Sequence, residues 1–243
     1  MNTSKNLIFG LLSLWLLSTC KPSECLFGTG KIKKEAREVG FFDKIFVYDN
    51  INVELVEGTG LYIEAGENLL PLLRTEWRSD SSLILRNDAK CSWLRSYNTP
   101  IKIYVGAKNL SLIRWESYGQ LENKEPVSVA YLRVEVLGVN ALVDLNLQAI
   151  GIFLFANIGA GFKLSGKTSE LSVFMMGYSR TDALSMQAQR VAIRQESSNH
   201  VWVNATQKIE GYISGFGNVF YKSLPTTEQN ITSNSSGRAI ALP

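Results

Sequence analysis

The side chains that most often carry catalysis or bind metal ions are scarce in this sequence. His200 is the only histidine among 243 residues. A structural zinc site takes several Cys or His ligands, and a Ser-His-Asp triad needs a nucleophile and an acid around its imidazole. His200 lies in the polar run ESSNH, which is typical of a turn. The sequence therefore predicts an exposed turn histidine and no metal, cofactor or triad.

A glycine-rich segment near the C-terminus is the next candidate, in this case for phosphate binding. Residues 211–225 read GYISGFGNVFYKSLP, so that Gly215 and Gly217 flank Phe216. A dinucleotide-binding loop has the pattern GxGxxG and opens a helix, whose N-terminal amides bind the phosphates. Here the alternating segment VFYKS follows and predicts another strand. The glycines therefore indicate a turn between strands.

Two series of residues recur at intervals of about 20 positions from residue 110 onward, with short turn-like segments such as NIGAG and SGFGN between them. The first series is Leu112, Leu132, Ile152, Leu171, Val191 and Ile209. The second series is Leu121, Ala141, Phe162, Thr181, Val201 and Val219. One such strand–turn–strand unit cannot bury its apolar side alone, but stacked units can. Six units in succession predict a parallel β-helix.

The remainder of the chain is also predicted to be β-structure, since INVEL at 51–55 alternates apolar and polar residues and Pro71 limits ENLLPLLRTEW to a short helical turn. We expect four parts. These are a lipoprotein-type signal peptide at 1–19, a tether at 20–40, a smaller N-terminal β region at 41–109, and β-helix repeats with a polar C-terminal cap at 110–243.

The first 20 residues predict export and lipid anchoring. Lys5 precedes an apolar stretch at 7–17, which is too short to span a membrane and is typical of a secretory signal. The stretch ends in LSTC, which resembles the lipobox of bacterial lipoproteins and makes Cys20 the expected lipid attachment site. An ordinary signal peptide that contains a cysteine is the alternative. We expect the exported protein to be anchored to the outer membrane, on its periplasmic or cell-surface side.

Export also affects the interpretation of the other two cysteines. Cys25 and Cys91 would lie in an oxidising compartment, where paired cysteines persist as disulfides. We hypothesise that they pair and tie the N-terminal arm to the first β region, with two free thiols as the alternative.

Carboxylates are the groups with which β-helix enzymes cut polysaccharides. In the register predicted above, the acidic residues of the repeats fall in different columns or several coils apart: Glu116 and Glu196 share a column four coils apart, while Asp144, Asp182, Glu170 and Glu210 are separate. We therefore predict no catalytic residues. A carbohydrate-active β-helix enzyme, either a polysaccharide lyase or a hydrolase, is the alternative.

Outward aromatic residues give the best candidate for a binding surface. The predicted face consists of Phe155, Phe174 and Tyr212 in one column, with Trp202 and Phe220 as a second pair. If the N-terminal region covered these rings, or if they stacked on one another along the β-helix, they would be structural. If exposed, they would bind a surface protein, a second copy of the chain, or a glycan whose sugar rings stack on them. No block of like charge accompanies the net charge of +3, so no nucleic-acid partner is expected.

Several longer segments resemble a known family. They are GTGKIKKEAREVGFFDKIFVYDNINVELVEG, AGENLLPLL, PIKIYV and the SGFGN turn between strands. Together they resemble the putative auto-transporter adhesin head-domain family, also called the head GIN domain, over roughly residues 28–242. The resemblance implies a right-handed parallel β-helix without catalytic residues, in an exported or lipid-anchored protein with a role in adhesion. Because the other turns depart from the family's GSG pattern, no turn-borne ligand motif is implied.

These observations favour a non-enzymatic lipoprotein of the cell envelope. It would act as an adhesin or binding module for a glycan or a protein. A second copy of the chain, bound in a homo-oligomer, is one such protein partner. A structural envelope scaffold is a further alternative.

Overall fold

The computed structural model describes residues 28–89, 101–138, 140–223 and 227–243. The predicted signal peptide, Cys20, Cys25 and Cys91 lie outside these described residues. Strands dominate the described chain. They are β1 (Ile32–Ala36), β2 (Lys44–Asp49), β3 (Asn52–Val56), β4 (Leu61–Gly66), β5 (Leu73–Trp77), β6 (Ser82–Asn87), β7 (Lys102–Gly106), β8 (Leu112–Ser117), β9 (Gln120–Glu122), β10 (Val127–Val136), β11 (Asn140–Ala156), β12 (Gly159–Met175), β13 (Arg180–Gln195), β14 (Val201–Ile213), β15 (Val219–Ser223), β16 (Glu228–Ser233) and β17 (Ala239–Ala241).

The repeats form a parallel β-solenoid. Strands β10 to β14 pair in parallel with their neighbours in chain order. In the long strands β11 to β14, the first half and the second half of each strand pair with the matching halves of the neighbouring strands. We call the surface formed by the first halves of β11–β14, with β3, β7, β9, β15 and β17, the leading face. The trailing face consists of the second halves of β11–β14 with β2, β6, β8, β10 and β16. Each coil contributes one strand segment to each face.

The first predicted column is confirmed from Leu132 onward. Successive register partners are Leu132, Ile152, Leu171, Val191 and Ile209, all buried. Leu112 does not belong to this column, because it pairs with Arg133 and lies only half buried. The buried residue of that coil is Ile113, the partner of Val134. The repeat from this coil to the next is therefore one residue longer than the spacing between Leu112 and Leu132 indicated.

The second predicted column is also correct in part. Phe162, Thr181, Val201 and Val219 are register partners in consecutive coils. Leu121, however, pairs with Val143, whereas Ala141 pairs with Ala160. Inward positions recur every two residues along a strand, so a shift by two residues keeps the apolar pattern and cannot be seen in the sequence.

The smaller N-terminal β region extends the same stack. Strand β2 lies between β6 and β8, and β3 lies between β7 and β9, all in parallel. The coil made by β2 and β3 therefore sits between two coils that come later in the sequence. Antiparallel pairs of β1 with β4, β4 with β7 and β5 with β6 complete this region. Strand β1 falls within residues 20–40, where a tether was expected.

Short connections complete the fold. The segment containing Pro71 forms only a 3-10 turn, Leu70–Leu72, before β5. At the other end, β16 pairs with β14 and β17 with β15, which adds a last coil with mainly exposed side chains.

The turn at SGFGN is a stacking point. Gly217 donates its N–H to the carbonyl oxygen of Ser197 in the preceding coil at 3.0 Å. A Cβ added to Gly217 would overlap the carbonyl oxygen of Asn199, and one added to Gly215 would overlap that of Ser197. The glycines are required by the close approach of successive turns, which agrees with the predicted structural role.

Candidate binding surfaces

The predicted aromatic row is present on the trailing face. Phe155 and Phe174 are register partners in consecutive coils, and their ring centroids lie 5.1 Å apart at an interplanar angle of 62°. Arg194 and then Tyr212 continue the same column in the next two coils. The alternation of the strands directs these side chains outward, away from the buried column beside them.

Arginines lie over several rings of this face. The guanidinium carbon of Arg194 is 4.4 Å from the ring centroid of Phe174, and that of Arg133 is 4.1 Å from Phe153. Such contacts are attractive because the face of an aromatic ring carries negative charge density. We call this surface the arginine–aromatic face; it consists of Arg114, Arg133, Phe153, Phe155, Phe174, Arg194 and Tyr212.

Glu135 organises the cations of the arginine–aromatic face. Arg114 donates from Nε and Nη2 to Oε2 of Glu135, both at 3.1 Å, and Arg133 donates to Oε1. Burial disfavours the charged carboxylate, but the hydrogen bonds from Arg133 and Arg114 outweigh it. The pKa of Glu135 is therefore below its usual value of 4.5, and the ionised carboxylate fixes both guanidinium groups.

In the described part of the chain, the N-terminal strands meet the repeats at the end of the stack, where β2 pairs with β8 and β3 with β9. They continue the columns lengthwise. Phe46 of β2 pairs with Arg114, and Phe155 and Phe174 remain half-buried while Tyr212 is 39% exposed. The rings are thus accessible within the described structure.

The second predicted pair lies on the leading face. Trp202 and Phe220 are register partners with nearly parallel rings, 5.5 Å apart at 11°. The ring of His200 contacts both edge-on, and its Nδ1 accepts a hydrogen bond from the N–H of Asn218 at 2.9 Å. His200 was predicted to be an exposed turn residue, but it is half-buried because it packs on these rings.

The predicted binding residues therefore divide between two surfaces. The turn that separates the faces carries further exposed rings, including Tyr178 and Phe216, which are 51% and 77% exposed. The structure brings Phe155, Phe174 and Tyr212 together, and separately brings Trp202 and Phe220 together. Their role in partner binding stays a prediction.

A groove of about 420 Å³ runs along the leading face next to Trp202. One outward column crosses it: Glu122, Asp144, Lys163, Asp182 and Trp202 are successive register partners. The expectation that Asp144 and Asp182 lie in different columns is therefore wrong. The error follows from the two-residue shift at Val143, since an outward column moves with the inward one.

The groove column carries both signs of charge, with Lys163 between Asp144 and Asp182 and with Glu122 next to Asp144. Lys163 donates to Asp144 at 2.8 Å, with 69% and 57% of these side chains exposed. The pKa of Lys163 is raised, first by this hydrogen bond and then by the nearby charges of Asp144 and Asp182. Lys102 of β7 donates to Glu122 of β9 at 3.1 Å across the intervening strand β3. Among the described residues, no group of three or more His, Cys, Asp or Glu could hold a metal ion.

Gly161 forms an open position beside this column. It pairs with Leu142 on one side and Arg180 on the other, and all three line the groove. A Cβ at Gly161 would lie 3.1 Å from Cδ2 of Leu142 and 3.6 Å from Nε of Arg180. A side chain at position 161 would therefore displace the end of Leu142 and lie close to Arg180. The sequence pattern did not predict a groove at these residues, although their alternation with buried residues indicates outward positions.

The chain is similar to several solved structures over most of its length. A putative adhesin from Bacteroides fragilis NCTC 9343 superposes with a TM-score of 0.77 at 21% identity, covering 87% of this chain and 97% of the other. A putative lipid binding protein from Parabacteroides distasonis ATCC 8503 gives 0.60 at 18% identity, covering 88% and 98%. A putative adhesin from Parabacteroides merdae ATCC 43184 gives 0.56 at 15% identity, covering 89% and 98%. These similarities show the fold.

A search of the curated proteins finds no match to the chain. In the part of the chain that the structure describes, no helix is long and apolar enough to cross a membrane. The family described as "Putative auto-transporter adhesin, head GIN domain" matches residues 41–225, which is most of the sequence. On this match, together with the solenoid that its sequence pattern predicted, the chain belongs to the putative auto-transporter adhesin, head GIN domain family.

Proposed function

We propose that this protein is a non-enzymatic binding module of the cell envelope, which attaches to a surface protein through the arginine–aromatic face. The observation that carries the proposal is the row of accessible rings and ordered arginines on the trailing face. Arginine and aromatic residues are enriched at the centres of protein interfaces. The family and the neighbours named as adhesins support the same role.

The contacts within this face favour a protein partner. Arg133 and Arg194 each lie over a ring, and Glu135 holds Arg114 and Arg133. Side chains that are already ordered lose less conformational entropy when a partner binds. The face also presents charged donors beside apolar rings, a combination that suits a protein surface of mixed polarity. A second copy of the chain is one such partner.

Substitution of Phe155 and Phe174 by serine tests this face. Binding to a purified surface protein, chosen from a panel of matrix proteins by biosensor, is expected to weaken by about tenfold or more, since central interface residues contribute roughly 2 kcal/mol or more. The double variant Trp202→Ser, Phe220→Ser removes the same number of rings from the leading face and serves as the control. Equal binding by all three proteins would contradict the proposal.

The molecular mass of the same proteins, measured by light scattering, shows whether the partner is a second copy of the chain. If the partner is a second copy, the wild type and the leading-face control will show a larger mass than Phe155→Ser, Phe174→Ser. Circular dichroism checks that the β-structure is retained.

The proposal includes attachment to the outer membrane through a lipid on Cys20, and a disulfide between Cys25 and Cys91. Intact mass spectrometry of unreduced protein from the membrane fraction tests both. We expect a chain that begins at Cys20, carries diacylglycerol, and gains two hydrogens on reduction. A chain with another first residue and no lipid would indicate an ordinary signal peptide, and an unchanged mass on reduction would rule out the disulfide.

One observation favours the alternative of a carbohydrate-active enzyme: Glu122, Asp144 and Asp182 line the same groove. Glycosidases work with two carboxylates about 5–9.5 Å apart. Against this role, Lys163 separates Asp144 from Asp182 and its ammonium donates to Asp144, and both partners of that ion pair are exposed. A catalytic acid is instead usually held in an apolar pocket. New reducing ends or unsaturated products from a polysaccharide, lost in Asp144→Asn, would establish the enzyme.

A further inference from the structure

We infer that the groove on the leading face is a binding site for a short, uncharged oligosaccharide. This inference goes beyond the proposed function, because the groove lies on a different face from the arginine–aromatic row and would bind a different class of ligand. Its volume of about 420 Å³ falls within the range of about 300–1,000 Å³ that small-molecule sites occupy. A mono- or disaccharide fits this space, and a longer chain would extend along the stack of coils.

Trp202 supplies a platform for a sugar ring. Phe220 of the next coil stacks on Trp202, and Asp182 of the preceding coil is the register partner of Trp202 on the other side. Trp202 also lines the groove, so part of the indole borders the open space. The C–H groups on one face of a sugar ring carry slight positive charge and pack well against the electron-rich face of an indole. The stack with Phe220 and the edge contact of His200 hold the indole in place.

The polar side chains of the groove suit hydroxyl groups. Asp144 and Asp182 provide acceptors, and Lys163 and Arg180 provide donors, on three neighbouring coils. A hydroxyl can donate and accept, so a polyhydroxylated ligand can bond to both kinds of group. Coils are about 4.8 Å apart, which is comparable with the length of one sugar unit in a chain. Successive sugar units could therefore meet successive coils.

The charge balance of the groove argues against other ligands. Glu122, Asp144 and Asp182 oppose Lys163 and Arg180, which leaves the lining close to neutral with a small negative excess. A phosphate or a polyanion would lie against three carboxylates. An acyl chain would bury charged groups without giving them hydrogen bonds, at a cost in free energy.

Gly161 offers a direct way to block the groove. Its backbone φ is not in the left-handed region, and the closest neighbour of an added Cβ is the exposed end of Leu142. Valine at position 161 can therefore be accommodated by movement of Leu142 and would fill the space between Leu142 and Arg180. Ala192→Val is the matched control, because Ala192 is an exposed strand residue on the trailing face.

The test uses the full exported chain and an array of short neutral oligomers of glucose, mannose, xylose and N-acetylglucosamine, followed by calorimetry with the best binder. We expect Gly161→Val and Trp202→Ala each to lower the affinity by about tenfold or more, while Ala192→Val binds as the wild type does. Thermal unfolding verifies that each variant is folded. If Gly161→Val is unstable, the affinity of Trp202→Ala still tests binding in the groove.

Several outcomes would overturn the inference. They are failure of the wild type to bind any neutral oligosaccharide at millimolar concentration, equal binding by all four proteins, and preference for a fatty acid or an anionic glycan. Loss of protein-partner binding in Phe155→Ser, Phe174→Ser is a separate result, so the proposed function and the groove stand or fail independently.

Discussion

Replacing Trp115 with alanine is expected to lower the free energy of unfolding by about 3–5 kcal/mol. Trp115 is fully buried and is the largest side chain in the core. It pairs with Val47 of β2 on one side and Val136 of β10 on the other. Alanine would leave a cavity at the point where the N-terminal coils join the repeats, and urea unfolding followed by circular dichroism measures the cost.

Trp115→Phe separates the cavity from the indole N–H. Nε1 of Trp115 is buried without a hydrogen-bond acceptor among the described residues. Phenylalanine fills most of the space and removes this unpaired donor, so its loss of stability should be much smaller than that of alanine. Equal losses for the two variants would contradict a packing role.

Substitution of Gly217 by alanine is the second large effect. The added Cβ would overlap the carbonyl oxygen of Asn199 in the preceding coil, just as a Cβ added to Gly237 of the last coil would overlap the carbonyl oxygen of Gly217. We expect a loss of roughly 3 kcal/mol or more, because the Asn199 carbonyl cannot move away without separating stacked backbones. Hydrogen exchange should show lost protection in β15–β17, whereas the central strands β11 and β12 stay protected.

Phe216→Ala is the control at the neighbouring position. This ring is 77% exposed, so its removal should change stability by only about 0.5 kcal/mol or less. If Gly217→Ala were as stable as Phe216→Ala, the close stacking of the turns would not explain the SGFGN sequence.

The repeat was predictable because identical positions stack. Leu132, Ile152 and Leu171 must all be apolar if each covers the next, and this leaves a periodic signal. The exact coil length was less predictable, since Leu112 and Ala141 are as apolar as Ile113 and Val143, the buried residues that hold the expected register positions. A regular interval cannot reveal where a turn gains one or two residues.

The groove was not predictable for a related reason. Asp144, Lys163 and Asp182 differ in type and are some 20 residues apart, so only the strand register brings them together. Phe155 and Phe174 were easier to recognise because like residues recur at like positions. Gly161 gives no sign in the sequence that it lines a groove.

The placement of β2 and β3 between later strands has a consequence for how the stack assembles. A nascent chain that has released only these two strands has no parallel neighbour for either, because β6 and β7 begin at Ser82 and Lys102, and β8 and β9 lie further on. The stack therefore cannot form coil by coil in the order of the sequence from its N-terminal strands. Strands β2 and β3 can form their parallel pairs only after these distant segments have been synthesised. Such long-range closure slows folding.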